Sequence, residues 1–215
     1  MLDQLVYIKP TNRFFMTKGE QTKDRILERS AALFNRFGYN ATSFGDIMAD
    51  TGLEKGGIYN HFASKEALML EAFEYAAQRL NQRYQHALEG KSAAVERLTA
   101  VLAVFEATIT DPPMRGGCPL LNAATESDDA LPALRARVRR AINGWLTVIV
   151  GVVERGQLDG QLRRDVDAAS TASVIFSALE GAVMLSRLYR DPTHIRSVVA
   201  FLKVYLQGLK QTDQF

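Results

Sequence analysis

The amino-acid sequence predicts an all-α protein. Apolar residues recur at the three- and four-residue spacing of amphipathic helices through most of the 215 residues, and no stretch sustains the alternation of a half-buried strand. Residues that favour helix starts and helix ends stand at the borders of these periodic stretches. Hydrophobic residues make up 47% of the chain and charged residues 23%, which is typical of a globular protein. We therefore expect helices throughout, in a short N-terminal group followed by a larger group.

The first predicted helix begins at Thr22, whose hydroxyl can accept a hydrogen bond from a first-turn N–H, and Asp24 lies in that turn. Gly38 ends the helix. The apolar stripe between them consists of Ile26, Leu27, Leu33, Phe34 and Phe37. Residues 1–16 lack helical periodicity, so we expect them to form an N-terminal extension, with Met16 as an alternative start.

A second, short helix is expected to start at Thr42 or Ser43, which are both favoured N-cap residues. Ile47 and Ala49 would form its inner face. Gly52 ends this helix, because glycine accepts the positive φ that a tight turn requires.

A third short helix is predicted from about Lys55 to His61, and a long fourth helix follows it. Ser64 is placed to cap the fourth helix, with Glu66 near its positively polarised N-terminus. Further helices are predicted over residues 92–109, 118–127, 130–156, 167–190 and 193–209. The last of these is expected to open with Asp191 as N-cap and Pro192 as the first helical residue.

Residues 42–61 have the proportions of a helix-turn-helix motif. We expect Leu53 and Ile58 to pack inward against Ile47, and the apolar stripe of the first helix to complete this core. The outward-facing residues are then Lys55, Gly56, Gly57, Tyr59, Asn60 and His61. Glycines permit close backbone approach, tyrosine and histidine can bind phosphate oxygens, and asparagine can pair with a base edge. This arrangement, rather than the net charge of only +2, predicts a DNA-binding surface.

The sequence TSFGDIMADTGLEKGGIYNHFASKEAL, residues 42–68, resembles the DNA-binding region of the TetR family of bacterial transcriptional regulators. The turn glycine, the tyrosine, the Asn-His-Phe trio and the Ser-Lys cap stand at the spacing of that family's signature, and the close match covers residues 22–68. The resemblance implies contacts with phosphates and bases at Lys55, Gly56, Gly57, Tyr59, Asn60, His61 and Lys65, and at Thr42, Ser43 and Phe44 where the preceding helix starts.

The sequence departs from the family pattern at two glycines. Gly57 stands where the family commonly has threonine or serine, and Gly45 stands where a longer and often basic side chain is common. We therefore expect recognition of bases to depend mainly on Lys55, Tyr59 and Asn60.

The resemblance further implies that a helix-turn-helix DNA-binding domain, residues 17–63, is joined by the long fourth helix to a ligand-binding and dimerisation domain, residues 64–215. Candidate ligand contacts at inward-looking positions are Phe73, Phe105, Asn122, Thr125, Trp145, Ile149, Phe176, Glu180 and Met184. Ordinary core packing is the alternative interpretation for each of them. Because aromatic and apolar residues outnumber polar ones in this set, the expected effector is a small apolar or aromatic molecule that releases a repressor from its operator.

The last two predicted helices indicate a homodimer. Helix 167–190 is apolar on nearly all sides and rich in small residues, and the final helix carries a second apolar stripe. That stripe consists of Val198, Phe201, Leu202, Tyr205 and Leu209. Two such helices from each subunit would form a four-helix interface, and a twofold protein would bind a palindromic operator.

Cys118 leaves two alternatives open. It precedes Pro119 at an expected helix N-terminus, where the helix dipole favours the thiolate, so thiol-based sensing or a helical enzyme with a cysteine nucleophile is conceivable. A nucleophile needs a base, and no histidine has a sequence relationship with this cysteine. A buried, inert thiol is the simpler interpretation. An architectural DNA binder without a sensor is a further alternative, but the chain beyond the motif is longer than DNA binding requires.

We expect no enzymatic activity, cofactor or metal site, since no two His or Cys residues have the spacing of metal ligands. The single cysteine cannot form an internal disulfide, which favours a cytoplasmic protein. The longest uninterrupted apolar run, around residues 146–153, is too short to span a bilayer, so no membrane partner is expected.

Overall fold

A computed structural model of the protein describes residues 16–112 and 114–211. These residues form nine α-helices, and the one bridge between extended segments that they contain joins Leu162 to Lys210. The all-α prediction is confirmed. The helices are α1 (Lys18–Phe37), α2 (Phe44–Thr51), α3 (Lys55–Tyr59), α4 (Lys65–Leu88), α5 (Ala94–Thr110), α6 (Pro119–Ser127), α7 (Pro132–Leu158), α8 (Ala168–Tyr189) and α9 (Thr193–Gly208).

The start of α1 differs from the prediction by about one turn. Thr17 is the N-cap: its hydroxyl oxygen accepts the N–H of Glu20 over 3.3 Å, and the Glu20 carboxylate accepts the N–H of Thr17 over 2.7 Å. This reciprocal capping box satisfies two donors that would otherwise lack partners. Thr22, the predicted cap, lies inside the helix and donates its hydroxyl to the carbonyl of Lys18. The predicted extension lies, up to residue 15, outside the described residues.

Two residues expected in the N-terminal core are exposed instead. Phe34 and Ile47 are fully buried as predicted, but Phe37, in the last turn of α1, is 52% exposed. Ala49 is also exposed. It follows Ile47 by two residues, which places it about 200° around α2 from the buried face. The inner face of α2 is completed by Thr51 instead.

The last two helix junctions agree closely with the sequence. Helix α7 continues two residues beyond Gly156, its predicted end. Pro192, rather than Asp191, is the N-cap of α9, but the carboxylate of Asp191 accepts the N–H of Thr193 over 2.9 Å. The acidic side chain therefore still satisfies a first-turn donor of α9.

The chain divides into two compact units that do not follow the predicted boundary at residue 64. The first unit runs up to Arg79 and also includes Met114–Ala141, so it contains α1 to α3, most of α4, the whole of α6 and the start of α7. The second unit consists of the end of α4, helix α5, and the chain from Ile142 onward. Helices α4 and α7 therefore contribute residues to both units.

Aromatic rings line the interior of the second unit. Tyr84, Phe105 and Trp145 are each less than 8% exposed. The rings of Tyr84 and Phe105 meet edge to face at 5.8 Å, and Phe105 meets Phe176 in the same way at 6.1 Å. Such geometry is the favoured packing of aromatic rings. The ring of Trp145 also contacts Tyr84, so four rings form one continuous cluster.

Helix α8 is the most apolar helix of the second unit. By length and composition alone it would be able to cross a membrane, with a mean hydropathy of 1.5 over its most apolar stretch, of which 39% is buried within the chain. Core and interface helices of globular proteins meet the same criterion. Several large apolar residues of α8, among them Val174 and Leu188, are exposed in the single chain.

The two threonines near the start of α1 give a direct test of where this helix begins. Thr17→Ala removes the cap and is expected to lower the free energy of unfolding by about 1 kcal/mol. Thr22→Ala removes only a hydroxyl that bonds within the helix, and should leave stability unchanged or slightly raised. Urea denaturation of both variants checks this; equal losses of stability would contradict the observed start.

Candidate nucleic-acid interface

A tight turn joins α2 to α3. Gly52 adopts a left-handed conformation, with φ 69° and ψ 22°, and its N–H donates to the carbonyl of Met48 over 2.9 Å. Only glycine takes this conformation without steric cost. Beyond the turn, Ile58 is fully buried together with Ile47, as the sequence predicts. The buried isoleucine turns the other residues of α3 outward.

Ser43, and not Thr42, caps α2. The Ser43 hydroxyl oxygen accepts the N–H of Asp46 over 3.1 Å, and the Asp46 carboxylate accepts the N–H of Ser43 over 2.7 Å. Hydrogen bonds from the side chain and then the backbone of Ser43 lower the pKa of Asp46 below its ordinary value. Thr42 is only 2% exposed and donates its hydroxyl to the carbonyl of Gly38. The Thr42 hydroxyl is therefore used within the chain, and a contact of Thr42 with DNA stays a prediction.

Three of the predicted DNA-binding residues meet on the outer surface. The rings of Phe44 on α2 and Tyr59 on α3 stack at 5.0 Å with an interplanar angle of 15°. Tyr59 is 44% exposed, and the ammonium group of Lys55 lies 5.7 Å from the centre of its ring. The stack fixes the direction of the Tyr59 hydroxyl, while the nearby cation adds positive charge. This combination suits an anionic phosphate backbone.

The glycines and the polar residues of α3 differ in their surroundings. A Cβ on Gly56 would meet nothing within 4 Å, whereas one on Gly57 would contact the side chain of Leu53 at 3.7 Å. The open space at Gly56 leaves room for a partner to approach the backbone. Asn60 is exposed, and His61 is half-buried with its ring beside Phe62. Asn60 is therefore better placed than His61 to reach a base edge.

Lys65 lies at the start of α4, beside the surface formed by α2 and α3. Ser64 caps this helix as predicted, since its hydroxyl oxygen accepts the N–H of Ala67 over 3.0 Å. The ammonium group of Lys65 is near enough to Asp46 to contribute to the lowered pKa of that carboxyl group. Lys65 is half-buried at the edge of an open cavity of about 400 Å³, which Tyr39, Met69 and Leu134 also line.

Comparisons with known proteins agree with this geometry. Residues 26–72 match the family model described as bacterial regulatory proteins, tetR family, and residues 94–202 match the model described as tetracyclin repressor-like, C-terminal domain. The chain belongs to the TetR family. The first match contains the capped α2, the glycine turn and α3, and the second covers most of α5 to α9.

Individual relatives of this TetR-family protein match over most of its length. A TetR transcriptional regulator from Chloroflexus aurantiacus J-10-FL is 44% identical, with 91% of this chain and 99% of that chain covered and a TM-score of 0.88. A TetR-family regulator from Cytophaga hutchinsonii is 28% identical, with coverage of 92% and 99% and a TM-score of 0.84. The HTH-type transcriptional repressor DhaR of Mycobacterium sp. (strain GP1) is 25% identical over 170 residues, which are 79% of this chain and 84% of the relative. The protein is a DNA-binding transcriptional regulator.

The residues predicted to bind a ligand do not all lie in one unit of this TetR-family protein. Phe73, Asn122 and Thr125 belong to the first unit, and the remaining six belong to the second. Thr125 is exposed and Met184 is 51% exposed, so the expectation that these two side chains point inward is wrong. The amide of Asn122 is used within the first unit, where it donates to the backbone and side-chain oxygens of Asn35.

Of the six predicted ligand-binding residues in the second unit, all except Met184 are buried or half-buried. Phe105 and Trp145 belong to the aromatic cluster, in which Phe176 is half-buried, and Ile149 is fully buried. Glu180 on α8 is 6% exposed and lies one turn after Phe176, on the same face of the helix. A carboxylate beside aromatic rings could orient a ligand that carries a polar group.

Cys118 is the N-cap of α6, as predicted, but it is only 1% exposed and forms no disulfide. Its burial separates the sulfur from dissolved oxidants and from substrates. Within residues 16–112 and 114–211, no group of three or more His, Cys, Asp or Glu side chains is placed to hold a metal ion.

The sequence did not lead us to expect that α6 packs against α1 in the first unit. Asn35 and Glu126 are separated by about ninety positions in the sequence, yet both are used in hydrogen bonds between α1, its following turn and α6. The polar residue Asn35, on the buried face of α1, was the feature of the sequence that could have indicated this contact. Buried polar side chains require hydrogen-bond partners, and none is near in the sequence.

Proposed function

We propose that this regulator is a homodimeric repressor that binds a palindromic operator and releases it when a small apolar or aromatic molecule enters the second unit. It acts in the cytoplasm and catalyses no reaction. The observation that carries the proposal is the outward cluster of Phe44, Tyr59 and Lys55 on a capped helix-turn-helix. The name of DhaR, an HTH-type transcriptional repressor, supports the direction of control.

The proposed contacts with DNA divide into two classes. Tyr59, Lys65 and Ser43 lie where they would reach phosphates, which positions the protein without reading sequence. Lys55 and Asn60 are exposed on the same short helix and would reach base edges in the major groove. Backbone approach at Gly56 and Gly57 completes the surface. His61 and Phe44 support it, since the Phe44 ring holds Tyr59 in place.

Exposed apolar residues on α8 and α9 support a homodimer. They are Val174, Met184 and Leu188 on α8 and Phe201 and Val204 on α9, all more than half exposed in the single chain. On α8 the small residues Ser177, Ala178 and Gly181 continue the same stripe between Val174 and Met184. A patch of this kind is unusual on a monomer and typical of an interface.

The dimer stripe differs in detail from the predicted one. Leu202 and Leu209 on α9 are buried within the chain, whereas Phe201 and Val204 are 71% and 74% exposed. Helix α9 therefore uses one face inside the subunit and offers another for a partner. A second copy of α8 and α9 would cover the exposed faces, which also accounts for the apolar composition of α8.

The effector site is proposed in the aromatic cluster of the second unit, between Phe105, Trp145 and Phe176, with Glu180 as a polar anchor. The rings offer apolar contact area, and the buried carboxylate would select for a hydrogen-bond donor or a positive charge on the ligand. Helices α4 and α7 contribute residues to both units, so a shift of either helix on ligand binding would also move residues of the DNA-binding unit. Such coupling between sites is typically about 1–3 kcal/mol and is reciprocal.

Substitutions in α3 and α4 test the DNA contacts. Tyr59→Phe keeps the stacked ring and removes only the hydroxyl, so it should weaken binding to every sequence alike, as should Lys65→Ala. Asn60→Ala and Lys55→Ala should also reduce discrimination between bases, by about 1–3 kcal/mol at the contacted position. Affinities are measured by fluorescence anisotropy on duplexes that the wild-type protein selects from random sequence.

The matched control for these variants is Lys91→Ala, which removes a lysine of the second unit and should not change the affinity. A triple variant with alanine at Lys55, Tyr59 and Asn60 that still binds the selected duplex as tightly as the wild type would refute the assignment.

The dimer interface is tested by placing charge on α9. Phe201→Arg and Val204→Arg together should convert the dimer to a monomer, because an interface that buries two unpaired cations from each subunit is strongly disfavoured. Leu158→Arg is the control, since Leu158 is 81% exposed at the end of α7 and carries no proposed contact. Light scattering at micromolar concentration reports the mass; a wild-type protein that is monomeric there contradicts the proposal.

The effector site is tested through the single tryptophan. Ligands drawn from a panel of small aromatic and aliphatic molecules should change the fluorescence of Trp145 and weaken operator binding together. Trp145→Phe should reduce the response to the ligand while leaving affinity for DNA unchanged, since Trp145 belongs to the second unit and α3 to the first. If Trp145→Phe stays folded but loses DNA binding, or if ligand and DNA bind independently, the sensing function is refuted.

A further inference from the structure

The turn between α1 and α2, residues 38–43, is held by side chains from a distant part of the sequence. Within the turn, the Thr42 hydroxyl donates to the carbonyl of Gly38 over 2.7 Å, and the Thr42 N–H donates to the same oxygen over 3.2 Å. Neither of these bonds uses the N–H groups of Tyr39 and Asn40, which therefore require other acceptors. Helix α6 supplies them.

The partner of both N–H groups is the carboxylate of Glu126. Its Oε2 accepts the Tyr39 N–H over 2.8 Å and the Asn40 N–H over 3.3 Å. The fit is close, because a Cβ on Gly38 would stand 2.9 Å from the same oxygen, and Gly38 has a φ of 99° that other residues rarely adopt. Hydrogen bonds to an ionised acceptor are stronger than those between neutral groups. Glu126 therefore fixes the backbone of the turn directly.

A second set of bonds holds α6 and its preceding loop against the end of α1. The Asn122 amide donates to the backbone oxygen of Asn35 over 3.0 Å, and the Asn35 amide donates to the carbonyls of Arg115 and Gly117 over 3.0 and 3.1 Å. The loop before α6 approaches α1 so closely that residue 116 has no space for a side chain, since a Cβ on Gly116 would stand 2.3 Å from the Asn35 carbonyl oxygen. The position of Glu126 is therefore fixed relative to α1.

The aromatic ring of Tyr39, the residue after Gly38, also holds the α1–α2 turn in place. Tyr39 is 2% exposed and stacks on Phe34 with their ring centres 5.4 Å apart. Burial, and next the negative charge of Glu126, raise the pKa of the Tyr39 phenol above its ordinary range. The turn is thus anchored on one side by packing into α1 and on the other by a carboxylate from α6.

We propose that Glu126 is a positioning residue for DNA binding, which acts by holding the α1–α2 turn so that Ser43 and Phe44 enter α2 in the orientation that the DNA-binding surface requires. The proposal rests on that proposed surface. The turn leads directly into it, since only Ala41 and Thr42 lie between Asn40 and Ser43. Glu126 lies within the segment that matches the C-terminal family model and outside the segment that matches the DNA-binding model. The orientation of the DNA-binding surface therefore depends on a residue from the C-terminal part of the sequence.

The test compares three variants of the full chain at adjacent positions on α6. Glu126→Met keeps a similar length without an oxygen acceptor, and Glu126→Gln restores one carbonyl oxygen. Thr125→Ala is the control, because Thr125 is exposed and its hydroxyl bonds only within α6. For each variant the affinity for the selected duplex is measured by fluorescence anisotropy, and amide hydrogen exchange at Tyr39 and Asn40 is measured by NMR.

Glu126→Met should weaken DNA binding about tenfold or more and accelerate exchange at both amides. Glu126→Gln should recover part of both effects, and Thr125→Ala should match the wild type. Should Glu126→Met unfold, Glu126→Ala is judged by the same two measurements. Wild-type affinity in the folded Met or Ala variant overturns the proposal, and so does a Gln variant that binds no better than the Met variant.

The test of Glu126 can fail independently of the test of the proposed DNA contacts. If the alanine triple variant at Lys55, Tyr59 and Asn60 loses binding while Glu126→Met retains it, the surface is correct and the positioning role is wrong. If the triple variant retains binding, the surface itself is misassigned.

Discussion

The outward surface of the first unit depends on the burial of one side chain, Ile58. Helix α3 has five residues, two of them glycine, and each glycine disfavours a helix by about 1 kcal/mol relative to alanine. Full burial of an isoleucine contributes about 1.5–3 kcal/mol, which is comparable to the combined cost of about 2 kcal/mol for the two glycines. Since Ile58 is completely buried against a core that also contains Ile47, the helix has its conformation only while packed. The placement of Lys55, Tyr59 and Asn60 follows from that packing.

Local patterns in the sequence were sufficient for much of this fold. The number and order of the helices, the glycine turn at Gly52, the cap at Ser64 and the inward position of Ile58 all follow from spacing and residue type, because each is decided within a few residues. The start of α1 was misplaced because two threonines were both plausible caps, and only Thr17 has a glutamate three residues later. That signal was present in the sequence and was overlooked.

Other features could not be read from local patterns. The exposure of Phe37 depends on where the neighbouring helices end, and the exposure of Met184 on which face of α8 packs within the subunit. The contact between Glu126 and Tyr39 joins segments far apart in the sequence, and a glutamate in an amphipathic helix looks like an ordinary surface residue. For the same reason the boundary predicted at residue 64 differs from the compact units, which assign α6 to the first unit.

The close approach of Gly116 to Asn35 has a consequence for the exchange of parts between relatives. A cut between α4 and α5 would separate α1 and the α1–α2 turn from the glycine loop and the carboxylate that pack against them. A foreign sensor segment with any side chain at the position of Gly116 would collide with the backbone of α1. The compact unit that contains the helix-turn-helix is therefore larger than that motif, and it is discontinuous in the sequence.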